Sequence, residues 1–309
     1  MPAAGPALPT APFALALLAL DGVGRVTVHR ILERFPSADA LRRTPREQVL
    51  LRLKGAPSAE RIVERLFSDA LDDALAASTA ETDRLAATGV RTLAPGDGAW
   101  PAGLARLTRA DRPAVLYAYG NPAALDGPLL AVFGRPPVAA DPFEAAQRIA
   151  RRAAAAGAGV VTGAAHGFDV ALQKVATGAG RAPVAVVASG LSTLAPSLRP
   201  AATALVRAGG MLLSPFPMAH GPFPHDDRER ALVQAAVAQA VVAAAPAAGS
   251  PERRACAWAA EAGVPVAVVG AVEADAPADG AAADEPWIRT ALRADGASAD
   301  TAVLAWLAP

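Results

Sequence analysis

Gly159-Val160-Val161-Thr162-Gly163-Ala164-Ala165-His166-Gly167-Phe168-Asp169 is the stretch on which the fold turns. Its apolar start, Gly159 to Val161, reads as a buried strand. The turn that follows is punctuated by Gly163 and Gly167, and Val170 to Thr177 is compatible with a helix. Strand, glycine turn and helix in that order form the unit from which α/β proteins build anion cradles. Backbone N–H groups at the helix start point at the ligand, and the helix dipole favours negative charge there. Glycine allows backbone conformations and close approaches that a Cβ would hinder. The spacing is not G-x-G-x-x-G and no Gly-Lys-Ser/Thr follows, which excludes a dinucleotide fingerprint and a P-loop.

Outward from this unit the pattern repeats. Strands are expected at Leu129–Gly134, Gly159–Thr162, Pro183–Ala188, Met211–Ser214, Val241–Ala245 and Val264–Val269. Helices are expected between them at Pro142–Ala156, Phe168–Thr177, Arg199–Ala208, Arg228–Gln239 and Pro251–Ala262. Short apolar runs separated by amphipathic stretches imply right-handed βαβ crossovers and a mainly parallel sheet. The fold class is therefore α/β, and ligands on such sheets sit at the carboxyl ends of the strands. Each glycine-rich turn noted here falls at such an end.

The flanks differ. Residues 1–12 read as a disordered Pro/Ala leader and 13–80 as helices interrupted at Asp21-Gly22-Val23-Gly24 and Leu53-Lys54-Gly55-Ala56-Pro57. Ser58 is the expected N-cap of the helix after the second interruption. Each half reads helix, tight glycine turn, helix. A packed bundle whose glycines make turns is favoured over a DNA-holding helix-hairpin-helix (SAM-like) module, which stays open. Residues 81–128 connect to the core at 129–270, and 271–285 form an Ala/Asp/Gly-rich linker. Residues 286–309 suffice for two short helices, not an independent domain.

A chain of 309 residues suggests about two domains. Hydrophobic residues make up 53% and mean hydropathy is +0.28, enough for a sizeable core. Lysine occurs only at Lys54 and Lys174, so arginine carries the positive charge. The net charge of zero argues against a uniformly basic nucleic-acid binder. Its distribution is less even: residues 129–270 carry 12 basic and 8 acidic side chains, residues 271–309 carry 2 and 7. The single cysteine, Cys256, excludes an intrachain disulfide, and His29, His166, His220 and His225 have no metal-site spacing. Phe13 to Leu20 is too short to span a bilayer, and the start lacks a basic leader pattern. A soluble, cytoplasmic protein without cofactor or metal is expected.

Several turns carry chemistry. Gly134-Arg135 ends the first core strand, where a guanidinium can fork onto a phosphate. Asp169 caps the next helix or fixes its loop. Ser189-Gly190-Leu191 follows the third strand. Phe223-Pro224-His225-Asp226-Asp227-Arg228-Glu229-Arg230 sets two arginines at a helix start, where the dipole repels cations. An anion between them, or pairing with Asp226, Asp227 and Glu229, accounts equally well for that placement. Ser250 is the expected N-cap of the helix at Pro251, after Gly249. No Ser-His-Asp, paired-carboxylate or HExxH arrangement is present, so catalysis is not expected.

Taken in order, these segments resemble the DNA processing protein A family (DprA, also called Smf). Members carry Gly-Ser-Arg after the first strand, then Ser-Gly-x-Ala-x-Gly-Ile-Asp, Gly-x-Gly-Leu-Asp with a later Tyr-Pro, Ser-Glu-x-Pro, Phe-Pro-x-Arg-Asn-Arg and Ser-Gly-Ser. The corresponding stretches here are Gly134-Arg135, Thr162 to Asp169, Ser189-Gly190-Leu191 with Pro196, Ser214-Pro215-Phe216-Pro217, Phe223-Pro224 with Arg228-Glu229-Arg230, and Ala248-Gly249-Ser250. Ala114 to Gly120, after Trp100-Pro101, is similar to the segment before the core in that family. The resemblance covers about residues 13–270. It implies an extended Rossmann-like domain behind a small helical one, binding single-stranded DNA, loading the RecA recombinase in natural transformation, and working as a homodimer. It further implies a phosphate groove lined by Gly134, Arg135, Thr162, Gly163, His166, Gly167, Lys174, Arg228, Arg230, Gly249 and Ser250, with Asp169 and Gly190 structural, and a winged-helix remnant in residues 286–309.

The chain departs from the pattern at Pro215 for glutamate, Glu229 for asparagine, Gln173 for histidine and Ala248 for serine, and the serine of Gly-Ser-Arg is missing. A divergent member is the reading. The alternative is a nucleotide- or small-ligand-sensing Rossmann module without DNA loading. A phosphoribohydrolase is disfavoured because Ala248-Gly249-Ser250-Pro251-Glu252 does not match Pro-Gly-Gly-x-Gly-Thr.

Overall fold

The computed structural model describes residues 8–165, 167–270, 286–293 and 297–308. The chain divides into two compact units, residues 1–100 with 107–118, and residues 101–106 with 119–309.

The first unit is helical: α1 (Ala11–Ala19), α2 (Arg25–Leu32), α3 (Ala38–Arg42), α4 (Arg46–Arg52), α5 (Ala59–Leu66) and α6 (Asp69–Ala87), then strand β1 (Val90–Leu93). Phe13, Ala14, Ala16 and Leu17 bury α1 against α6. Ser37 caps α3 by accepting the Ala40 N–H at 3.2 Å. Ser58 stands before α5 as expected but makes no capping bond, because it adopts a left-handed conformation at φ 55°. His29 is buried and donates from Nε2 to the Arg112 carbonyl at 2.9 Å; burial lowers its pKa. Strand β2 (Leu116–Gly120) leads into the second unit.

The second unit alternates: β3 (Leu129–Phe133), α7 (Ala140–Ala155), β4 (Gly159–Thr162), α8 (Phe168–Gly178), β5 (Val184–Val186), α9 (Arg199–Arg207), β6 (Met211–Ser214), α10 (Asp226–Ala236), β7 (Ala240–Ala244), α11 (Pro251–Glu261) and β8 (Val266–Val269). Short elements follow: α12 (Pro286–Thr290), β9 (Leu292–Arg293) and α13 (Ala297–Ala305). Its strands lie in the order β6-β5-β4-β3-β7-β8-β9 and pair in parallel. Val161 pairs with Val184, and Ala131 with both Val161 and Val241. Strands β3 to β8 are buried along their whole length, which is why they read as unbroken apolar runs. Leu130, Val132, Val160 and Val242 pack against Ile149 and Ala153 of α7, Leu172 of α8 and Val303 of α13. This is the α/β, Rossmann-like architecture expected from the sequence.

Several bounds differ from expectation: α7 begins at Ala140, two residues early, β5 is confined to Val184–Val186, and β8 begins at Val266, two residues late. Helix α10 begins at Asp226, two residues early, where the Asp226 carboxylate accepts the Phe223 N–H at 2.9 Å. It ends before Gln239, whose side chain turns back to accept the Leu129 N–H at 2.6 Å. Residues 292–293 add a strand to β8, where helices alone were expected; two residues are too few for alternation to show. The expected linker at 271–285 and most of the leader lie outside the described residues. Among the described residues, no helix is long and apolar enough to cross a membrane.

Strand β3 sits between β4 and β7. The chain runs from β3 through β4 and β5 to β6 on one side, then returns to β7 and β8 on the other. The crevice at the carboxyl ends of β3 and β7 is thus the topological switch point, where open α/β sheets bind ligands.

Candidate nucleic-acid interface

Two chambers open at these strand ends. One, of about 340 Å³, is lined by Gly134, Arg135, Asp169, Ser189, Asp227 and Arg230, among others. The second, of about 390 Å³, lies between the ends of β3 and β7 and includes Pro137, Ala245 and Ser250. Arg135 and Glu252 border both.

The loop after β4 is shaped by packing. A Cβ on Gly163 would lie 2.6 Å from Asp169 Oδ2, and one on Gly134 would lie 2.5 Å from the Phe168 ring. Gly167 precedes α8 at φ +78°. Asp169 reaches back to accept the Ala165 N–H at 2.9 Å, so it fixes the loop. Burial pushes its pKa up to about 6, against the lowering effects of Arg230 and the Ala165 N–H. Thr162 is buried, and its hydroxyl donates to the Gly163 carbonyl while accepting from Gln173 Nε2 at 3.0 Å.

The arginines are held by carboxylates. Arg135 donates from Nε and Nη2 to Glu252 at 3.2 Å and from Nη2 to Asp227 at 3.1 Å. Arg230, with a side chain only 8% exposed, donates to Glu252 at 2.7 Å, Asp227 at 3.3 Å and Gln234 at 2.6 Å. Gln234 in turn donates to the Val132 and Val161 carbonyls at 3.0 and 3.2 Å, which ties the network to β3 and β4. The hydrogen bond to Glu252 raises the Arg135 pKa further. Two guanidiniums therefore face two carboxylates, with Asp169 as a third acid beside Arg230. The cleft is neutral when Asp169 is protonated and carries one negative charge when it is ionised.

Of the residues singled out from the sequence, Gly134, Arg135, Asp169 and Arg230 line the first chamber, and Ser250 lines the second. Ser250 caps α11, accepting the Arg253 N–H at 3.1 Å, with Gly249 before it at φ +67°. Gly190 holds the loop after β5 by donating its N–H to the His220 carbonyl at 2.8 Å. Arg228 and Lys174 are exposed, outside both chambers, and form no ion pair with a described residue. His166 lies outside the described residues. At the helix start, ion pairing accounts for Arg230 but not for Arg228. Glu252 and Gln234 were missed as members of the site. Glu252 reads as an ordinary acid in a first turn, and its 117-residue separation from Arg135 hides the pairing.

The doubly wound parallel sheet, with its cleft at the switch point, places the molecule among Rossmann-like α/β proteins. Residues 91–283 match the family model described as DNA recombination-mediator protein A, and the chain belongs to that family. No curated protein matches the chain. Among solved structures it is similar to DNA processing protein A (DprA) from Streptococcus pneumoniae, at 18% identity and TM-score 0.70 over 96% of this chain and 98% of that one. It is also similar to DNA processing protein A from Helicobacter pylori, described for its single-stranded DNA binding mode. The identity there is 19% and the TM-score 0.54, over 66% of this chain and 89% of that one. At these identities the likeness concerns the fold.

Proposed function

We propose that this protein binds single-stranded DNA and acts as a recombination mediator. It loads a RecA-type recombinase onto strands taken up in natural transformation, works as a cytoplasmic homodimer and carries out no catalytic turnover. The family match over residues 91–283 carries this reading. The single-stranded DNA binding described for the Helicobacter pylori protein supports it. The cleft contributes paired guanidiniums at the strand ends and the capped start of α11. Such contacts position a phosphate backbone and do not read sequence. A phosphate reaching Arg135 competes with Asp227 and Glu252, so the exposed Arg228 and Lys174 supply the unopposed charge.

The test is titration of a fluorescent strand of ~30 nucleotides, and of its duplex, across a salt series beside an Arg228→Ala/Lys174→Ala variant. Salt-sensitive single-strand binding is expected, with the slope of log affinity against log salt shallower in the variant by about 0.7 per lost contact. Absence of binding at low salt would overturn the proposal. A second reading, capture of a small nucleotide, rests on the two chambers of about 340 and 390 Å³ at the switch point. Calorimetry with mononucleotides separates the two.

A further inference from the structure

Asp169 stands apart among the charged groups of the cleft. Glu252 and Asp227 each pair with both Arg135 and Arg230. Asp169 is buried nearly as deeply as Glu252, at 7% against 5% exposed, yet forms no ion pair with a described residue. It faces Arg230 across Gly163: the site of a Cβ on Gly163 is 2.6 Å from Asp169 Oδ2 and 3.3 Å from Arg230 Nη1. That guanidinium is already engaged by Glu252, Asp227 and Gln234. Asp169 is held instead by the Ala165 N–H at 2.9 Å, in the turn that the sequence marks as an anion cradle.

A buried carboxylate with no guanidinium in contact is costly to ionise, and two further carboxylates in the same chamber add to the cost. The groups that act on it come from several elements. Arg230 on α10 and the Gly163 and Ala165 N–H groups of its own loop favour the anion, and Glu252 on α11 opposes it. Arg135, after β3, and Asp227, on α10, complete the chamber wall. Burial outweighs the attractions and lifts the carboxyl to about 6. With the proton in place the two guanidiniums balance the two remaining carboxylates, and without it the chamber carries one net negative charge. A phosphodiester keeps its charge throughout this range. It binds better to the balanced chamber, and by reciprocity its arrival favours the proton.

We propose that the cleft is proton-coupled: Asp169 takes up a proton as a strand phosphate enters the first chamber, so the hold on single-stranded DNA weakens as pH rises. This rests on the single-stranded DNA reading above and adds a means of regulating that site. Asp169 acts through charge, without touching the strand.

The test measures binding of a fluorescent strand of ~30 nucleotides with hydroxyl ends between pH ~5 and ~7.5 at constant salt, for the wild type and for Asp169→Asn. The amide oxygen of the variant can still accept the Ala165 N–H, and thermal melts at each pH confirm that both proteins fold. The wild type should lose about 3- to 30-fold in affinity across this range, the upper figure being the change in the protonated fraction of a group at about 6. Asp169→Asn should lose less and be the tighter binder at the upper end. His166, His220 and His225 are present in both proteins, so their effect cancels in the comparison. Calorimetry in buffers of different ionisation enthalpy counts the protons directly, and uptake on binding should be greater in the wild type, by up to about one per chain. Equal pH profiles and equal proton uptake in two proteins that both bind would refute the coupling and leave the DNA-binding reading standing. If the wild type binds at neither end of the range, both fall.

Discussion

Removing the charge of Asp227 should tighten binding of single-stranded DNA. Asp227 pairs with Arg135 at 3.1 Å and with Arg230 at 3.3 Å. Its side chain is 36% exposed, whereas that of Glu252 is 7% exposed. In Asp227→Asn both arginines keep Glu252, and Arg230 also keeps Gln234, so no buried guanidinium is orphaned. The cleft gains one unit of positive charge. A phosphate about 6 Å away then escapes a repulsion of about 0.7 kcal/mol in bulk water, or about 3 kcal/mol at an effective dielectric near 20. Asp227 is partly exposed, which places the effect toward the lower bound, roughly three- to tenfold in affinity. Fluorescence anisotropy with a strand of ~30 nucleotides between roughly 50 and 200 mM salt measures it. If Arg135 gains a phosphate, the slope of log affinity against log salt also steepens by about 0.7. Unchanged affinity and slope in a folded Asp227→Asn protein would show that phosphate does not enter this cleft.

Further expectations concern stability. Glu252→Gln removes the buried carboxylate that accepts from both Arg135 and Arg230, and should destabilise the second unit by about 3–5 kcal/mol in chemical denaturation. Asp169 should make the folded state less stable as pH rises. Its carboxyl, raised from 3.8 to about 6, keeps a proton that the unfolded chain has already lost. The folding advantage of that proton is present below the unfolded value and disappears through the folded one, a change of about 3 kcal/mol between pH ~4 and ~7. Urea titrations at the two ends of this window should show the difference in the wild type and a flatter profile in Asp169→Asn. Asp300, fully buried, anchors α13 to α7 through Arg148 at 2.8 and 3.0 Å and Arg152 at 3.1 Å. Burial raises its pKa, but those guanidiniums outweigh it and hold the carboxyl below its usual range. Asp300→Asn should therefore cost about 1–3 kcal/mol at neutral pH and progressively less as pH falls below the ordinary carboxylate range, read from denaturation midpoints.

The strands were legible because of how they are buried. Gly159–Thr162 and Met211–Ser214 form where the apolar runs place them, since a parallel strand covered on both faces has no polar alternation to blur its ends. Ser250 was legible as a cap because capping is local: its bond to Arg253 spans three residues. The charge state of the cleft was not legible. The five charged residues from Asp226 to Arg230 can be paired on paper in several ways, and the decisive acid, Glu252, arrives from another helix. A ladder of aromatic rings before α10 was equally hidden, because Phe216, His220, Phe223 and His225 fit no helix or strand period and meet only through the turns around Asp226.

By itself the sequence determined the alternation of strand and helix, the parallel sheet and the glycine turns at its carboxyl ends. Those features follow from hydrophobic burial and backbone sterics acting over a few residues. Tertiary structure alone decided that Arg135 and Arg230 meet Glu252 and Asp227, that Arg228 stays unopposed, and that Phe223 stands on a pinned stack. Electrostatics and ring stacking depend on distances of a few ångströms between side chains far apart in the chain, and only the folded sheet sets those distances.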